Sequence, residues 1–272
     1  MVQQRVFKTL GLLWLSTFVF SVDRTQNDPK ASFVAAKTLL ESGYSVQDLR
    51  AIDRARLFFE ARLKVAGFEK QAHYYAALAD YRAINAMNIA DQRDEKEHLA
   101  RLDRAIDHLE WVSKRDNSSV EPMILLYTLY SRRIGLKPLS AMSLFGKMEK
   151  ARDTARRLSP ANPRLLLVQA IYDYHAPKRF GGDREKAHVG FLNAVRAFVK
   201  ESPSGDSLTP DWGYEDACSW LGISYRDRGD SLAARQSFER AVQANPHFAW
   251  ARDVLLPTVL PNGMSSSTSS AR

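Results

Sequence analysis

Glu215-Asp-Ala-Cys218-Ser-Trp-Leu221-Gly222-Ile-Ser-Tyr225-Arg-Asp-Arg-Gly229-Asp230-Ser-Leu-Ala-Ala234-Arg-Gln-Ser-Phe238-Glu-Arg-Ala241-Val-Gln-Ala-Asn-Pro246-His-Phe248 is the stretch that decides the fold. Cys218, Leu221 and Tyr225 recur at helical spacing before Gly229-Asp230, and Ala234, Phe238 and Ala241 recur the same way after it. Residues three and four apart share one helix face, so the stretch predicts two amphipathic helices joined by a tight turn. Gly222 and Ala241 are small enough for the helices to approach closely, while Leu221, Tyr225 and Phe238 fill the seam. Gly229 permits the turn, and Pro246 ends the second helix.

The spacing Cys218-x-x-Leu221-Gly222-x-x-Tyr225, Gly229-Asp230, Ala234-x-x-x-Phe238-x-x-Ala241, Pro246 resembles the tetratricopeptide repeat, with Cys218 in place of the first tryptophan. Three further second-helix signatures lie upstream: Ala187-x-x-x-Phe191-x-x-Ala194 after Gly181-Gly-Asp183, Ala151-x-x-x-Ala155-x-x-Leu158 before Pro163, and Ala105-x-x-x-Leu109-x-x-Val112 before Asn117. Their anchor alanines stand 46, 36 and 47 residues apart, against about 34 in the standard repeat. Long connections are therefore expected at 134–143, 175–182 and 201–211. No run shows the alternation of a strand. The expectation is an all-α chain whose antiparallel hairpins stack in a right-handed superhelical solenoid over residues 46–257, enclosing an inner groove. Residues 22–45 read as an N-terminal linker or helix, Phe248–Leu256 as a capping helix, and 258–272 as a Ser-rich disordered tail.

Tyr74-Tyr75, Asn162-Pro163-Arg164, Pro177-Lys-Arg-Phe-Gly-Gly182, Pro210-Asp-Trp-Gly213 and Trp250…Leu255-Leu-Pro257 make residues 70–257 similar to an uncharacterised family of exported bacterial tetratricopeptide proteins. The resemblance implies the fold and export, and carries no activity. Export is also what the N-terminus predicts: Arg5 and Lys8 precede the apolar run Leu10–Val22, and polar residues follow from Asp23. That is the layout of a signal peptide over 1–21, cut after Ser21. The competing reading is an uncleaved anchor through residues 7–22, although the run is shorter than the roughly 20 residues of a spanning helix. The expected location is the periplasm or cell envelope.

Composition excludes several function classes. The chain has 45% hydrophobic and 26% charged residues with a formal charge of +8, which falls to +6 if Arg5 and Lys8 leave with the leader. That excess is modest, and no nucleic-acid module is recognisable, so nucleic acid is not an expected partner. Cys218, the single cysteine, excludes an internal disulfide and a cysteine metal cluster. His73, His98, His108, His175, His188 and His247 form no ligand pair on one helix face, so no metal or cofactor is expected. There is no G-x-S-x-G elbow and no Walker loop. Asp211, Glu215 and Asp216 sit at a helix start, where the dipole favours acids.

A non-catalytic scaffold holding a protein or peptide is the leading reading. Register counted from Gly222 puts Ser219, Ile223 and Arg226 in the groove. Counted from Ala170 it puts Leu167, Ile171 and Tyr174 there, and from Thr128, Leu125, Leu129 and Arg132. A one-residue slip, about 100° around a helix, would instead make the apolar members seam residues. Lys178, Arg179 and Phe180 form a candidate loop surface. The alternative is an accessory or carrier protein that binds a small anionic ligand near Arg132, Lys178 and Arg179, and an enzyme is the third. An open groove favours a peptide; a closed cavity beside 177–182 favours a small ligand.

Overall fold

The computed structural model describes residues 28–87 and 95–259. The expected signal segment and the tail beyond residue 259 lie outside them. Ten α-helices pair into five antiparallel hairpins, and no strand occurs among the described residues. The pairs are α1 (Pro29–Ser45) with α2 (Leu49–Glu60), α3 (Glu69–Ala86) with α4 (Glu95–Arg115), and α5 (Val120–Leu136) with α6 (Ala141–Leu158). They continue with α7 (Pro163–His175) against α8 (Arg184–Lys200) and α9 (Tyr214–Asp227) against α10 (Ser231–Ala244). The stack thus starts at Pro29, inside the span that the sequence leaves as linker or helix.

The local devices are those of the deciding stretch. A Cβ on Gly222 would lie 2.3 Å from Phe238 Cε1, so only glycine admits that ring. Gly229 has φ +81°, a region that favours glycine, and Asp230 caps α10 by accepting from the Ala233 N–H at 2.9 Å. The other anchors, Ala105, Ala151 and Ala187, are buried, as are Leu109, Ala155 and Phe191. Each fully buried phenylalanine stabilises the seam by roughly 1.5–3 kcal/mol. Asn162 caps α7 ahead of Pro163, accepting from the N–H groups of Arg164 and Leu165. A π-helical turn, Trp250–Leu255, covers the open end by setting Leu255 against Ile223, Ala234 and Phe238.

The superhelix curls until its ends meet. Tyr44 Oη donates to Asp216 Oδ1 at 2.7 Å, across 172 residues. Asn245 Nδ2 donates to Ser45 Oγ at 2.8 Å, across 200. The 201–213 connection runs against the N-terminal half of α3: Tyr75 Oη donates to the Leu208 carbonyl at 2.8 Å, and Trp212 Nε1 to Tyr74 Oη at 3.0 Å. Lys37 donates to the carbonyls of Ser207 and Thr209 and pairs with Asp211 at 2.9 Å.

Candidate functional site

Closure converts the expected groove into a cavity of about 540 Å³. Its wall comes from the C-terminal halves of α3, α5 and α7, from Asp216 and Trp220 of α9, and from Phe248 and Trp250 of the cap. Tyr44 closes the side where the ring joins. The lining is mainly apolar, with Ile84, Leu102, Ile134, Met148 and Val168 beside several aromatic rings. A volume of this size and an apolar lining with few polar groups are what a small-molecule site has.

The charges around it divide into tied and untied. Arg82 is buried, bonds Asp216 Oδ2 at 2.7 Å and Glu41 Oε2 at 3.0 Å, and lies 3.8 Å from the centre of the Tyr44 ring. Burial pushes the Glu41 carboxyl up from its ordinary range against the pull of Arg82, and burial, then the Asp216 charge, raises the Tyr44 hydroxyl. Burial also raises Glu215 at the same junction. These perturbed groups join the ring into one closure, and structural ion-pair networks shift pKa values as active sites do. Cys218 is buried and its thiol is pushed up to about 11, so it is no nucleophile at neutral pH.

Arg132 differs. It reaches into the cavity with its guanidinium 5.1 Å from the centre of the Tyr81 ring, and it has no ion pair among the described residues. His175 stands at the same wall, edge-on to Trp220 at 5.2 Å. Desolvation, then the charges of Arg132 and Arg184, lowers its pKa and keeps it neutral near pH 7. Among the described residues, Arg132 is thus a cation at the cavity wall without an ion pair, in apolar surroundings where a single anionic group can pair with it.

Of the residues placed in the groove by sequence, Arg132 and Ile171 line the cavity, as does Phe180 of the loop set. Leu125, Leu129 and Leu167 are buried in the seam, in the register one slip away. Ser219 is buried as well, and Ile223 packs with Phe238 under the cap. Arg226 donates to Thr258 Oγ1 at 3.1 Å. Tyr174 donates to Asp227 beneath the Arg184 guanidinium, outside the cavity lining. Lys178 and Arg179 are exposed on the 3₁₀ turn Lys178–Phe180 and do not line the cavity, Arg179 lying 5.0 Å from the Phe180 ring.

Trp220 and Phe145, which the groove register does not include, line the cavity, and so does Trp250, which the sequence places in the cap. A usable signal exists: the linings of α5 and α7 recur 40 residues apart, as Thr128 and Val168, Ser131 and Ile171, Arg132 and Tyr172, Gly135 and His175.

Compared by sequence, the chain matches no family model and no curated protein. By structure it is similar to a thermophilic TPR protein of Thermus thermophilus, with a TM-score of 0.53 and 17% identity over 82% of this chain and 98% of that one. It is also similar to the HusA haemophore of Porphyromonas gingivalis, with a TM-score of 0.51 and 19% identity over 71% of this chain and 93% of that one. At such identities the likeness is one of fold, and the chain is a TPR-like helical-repeat protein.

Proposed function

We propose that this protein is a non-catalytic carrier for a compact, mainly apolar ligand bearing one anionic group, held inside the ring with that group on Arg132. The observation that carries the reading is the joined wall: Tyr44 meets Asp216 across 172 residues beside a partly open, mainly apolar cavity, which favours a compact ligand over one lying along an open trough. An extended peptide in the bore would also meet the 201–213 connection, which is bonded to Tyr74 and Tyr75. That favours a small ligand over the peptide that such scaffolds hold in an open groove. The N-terminal basic and apolar run supports export, so the carrier would work in the cell envelope.

Trp220 and Trp250 line the cavity and make tryptophan quenching a direct test. A panel of haem, a long-chain fatty acid, an aromatic carboxylate and an acidic peptide covers the alternatives; haem is included because one structural neighbour is a haemophore. Quenching by an apolar carboxylate should be saturable and should weaken about tenfold or more in Arg132→Glu, the loss expected for a hydrogen bond to a charged group. Filling the cavity with Ile171→Trp should abolish it. Saturation by the peptide alone, or equal affinity in Arg132→Glu, would sink the reading.

A further inference from the structure

Four large apolar side chains are exposed together at one edge of the ring. Leu139 is 89% exposed, Met142 96%, Phe180 53% and Phe145 43%. Single exposed apolar residues are ordinary, but a group of them marks an interaction surface. These four lie on the turn between α5 and α6, on the first turns of α6, and on the turn between α7 and α8. Both turns join the two helices within a hairpin, so they fall on the same edge of the stack. Phe145 and Phe180 belong to the cavity wall, and Leu139 and Met142 flank the wall residue Ala141. The cavity lies at that edge, under the C-terminal halves of α3, α5 and α7, whereas the 201–213 connection crosses near the opposite end of α3.

The charge of this edge selects the partner. Lys178 and Arg179 are exposed beside Phe180 and carry no ion pair among the described residues. Asp183, which feels the Lys178 charge, is taken up in capping α8, accepting from the N–H groups of Glu185 and Lys186. Lys137 and Lys147 add cations, each paired with one glutamate, Glu95 and Glu110. Apolar tips flanked by Lys178 and Arg179 match a bilayer surface, where the tips enter the acyl boundary and the two cations meet anionic headgroups. No described helix is long and apolar enough to span a membrane. The contact is therefore peripheral.

We infer that the Leu139–Met142–Phe145–Phe180 edge docks on an anionic lipid surface, placing the cavity mouth against the bilayer so that an apolar ligand passes between lipid and ring without crossing water. The transfer half rests on the carrier reading, whereas the docking half does not.

The full chain tests it with a reporter that ignores any N-terminal tether. An environment-sensitive fluorophore is attached to Met142→Cys; Cys218 is 1% exposed and stays unlabelled. The control is the same label on Val199→Cys, which is 68% exposed at the far end of α8, roughly 25 Å away by helix rise. With phosphatidylglycerol-containing vesicles the Met142 label should shift to the blue and the Val199 label should not. Lys178→Glu/Arg179→Glu should weaken the vesicle titration by at least tenfold, since each cation near an anionic surface contributes about fivefold. No shift at Met142, an equal shift at Val199, or an equal response to pure phosphatidylcholine would overturn the docking surface. Ligand quenching in vesicle-free buffer, run on the same double variant, reads the carrier proposal separately: quenching kept while vesicle binding falls supports docking. Vesicle binding without any ligand quenching would overturn only the transfer half.

Discussion

Between α9 and α10 the contact is apolar and local: Gly222 receives Phe238, Ala241 lets the backbones approach, and the partners are a few turns apart in the chain. Between α1, α3 and α9 the contact is charged and distant. Arg82 lies between Asp216 and Glu41, two aromatic rings, Tyr44 and Trp212, flank its guanidinium, and Lys37 holds the 201–213 connection through two carbonyls. The first kind of contact builds each hairpin and would do so in an array of any curvature. The second decides whether the array ends as an open trough or as a ring around a cavity. A buried ion pair is a weak source of stability but a demanding geometric condition, and it specifies one closed arrangement among many loose ones.

Removing the cation from the closure should have the largest effect. Arg82→Ala leaves Asp216 and Glu41 facing each other in a buried site, and loss of one partner of a buried pair costs about 3–5 kcal/mol. Urea unfolding followed by helicity would read the cost. Below the transition, small-angle scattering should show a wider molecule and quenching by the cavity ligand should vanish, while the helical signal stays. An unchanged radius with ligand binding retained would mean that the ring closes without Arg82, and the contrast between seam and closure would fail.

Overpacking the seam should cost less and act differently. In Gly222→Val the added carbons start 2.3 Å from Phe238 Cε1 in a fully buried seam, which predicts about 2–3 kcal/mol of destabilisation. Ligand affinity measured well below the melting temperature should stay within about twofold of wild type, because independent sites act additively. Weakening of ligand binding as large as that of Arg82→Ala would show that seam and closure are one cooperative unit.

The two regions also differ in how far the sequence reveals them. The four hairpins from α3 to α10 carry their own punctuation, such as Gly229-Asp230, Asn162-Pro163 and the alanine anchors, so that part of the all-α repeat stack is legible from short windows, whereas the first hairpin is not. The closure carries none. Lys37 and Tyr44 sit on a helix without a repeat signature, and Arg82 reads as one more solvated arginine until its partner 134 residues away is brought against it. The groove register is intermediate. Counting from Thr128 and Ala170 spaces α5 and α7 by 42 residues, whereas their cavity faces repeat at 40. Two residues turn a helix face by about 200°, so one count cannot fit both helices: of the groove residues counted on α5 and α7 only Arg132 and Ile171 reach the cavity, and Leu125, Leu129 and Leu167 are buried in the seam.

Acid should separate seam from closure by sign, with the smallest effect of the three. In the α3–α4 seam His73 stacks on Trp111 at 3.9 Å, and its Nδ1 meets His108 Nδ1 at 2.9 Å. Burial, then the charges of His108 and Arg115, lowers the His73 pKa to about 4. The unfolded chain binds that proton near pH 6.5, so this contribution to stability is present above pH 6.5 and is lost as pH falls toward 4. Discounted for solvent screening, the shift is worth about 1–2 kcal/mol. Glu41 in the closure runs the other way: its raised pKa makes the folded state take up a proton before the unfolded chain does, so acid relieves the cost of its burial. Urea midpoints at pH 7 and pH 5 should therefore fall less in His73→Phe than in wild type, by about 1–2 kcal/mol, and slightly more in Glu41→Gln. The phenylalanine keeps the stack on Trp111, which isolates the proton from the packing. Equal pH dependence in His73→Phe and wild type would place the acid response elsewhere and leave the seam as insensitive to charge as its apolar half.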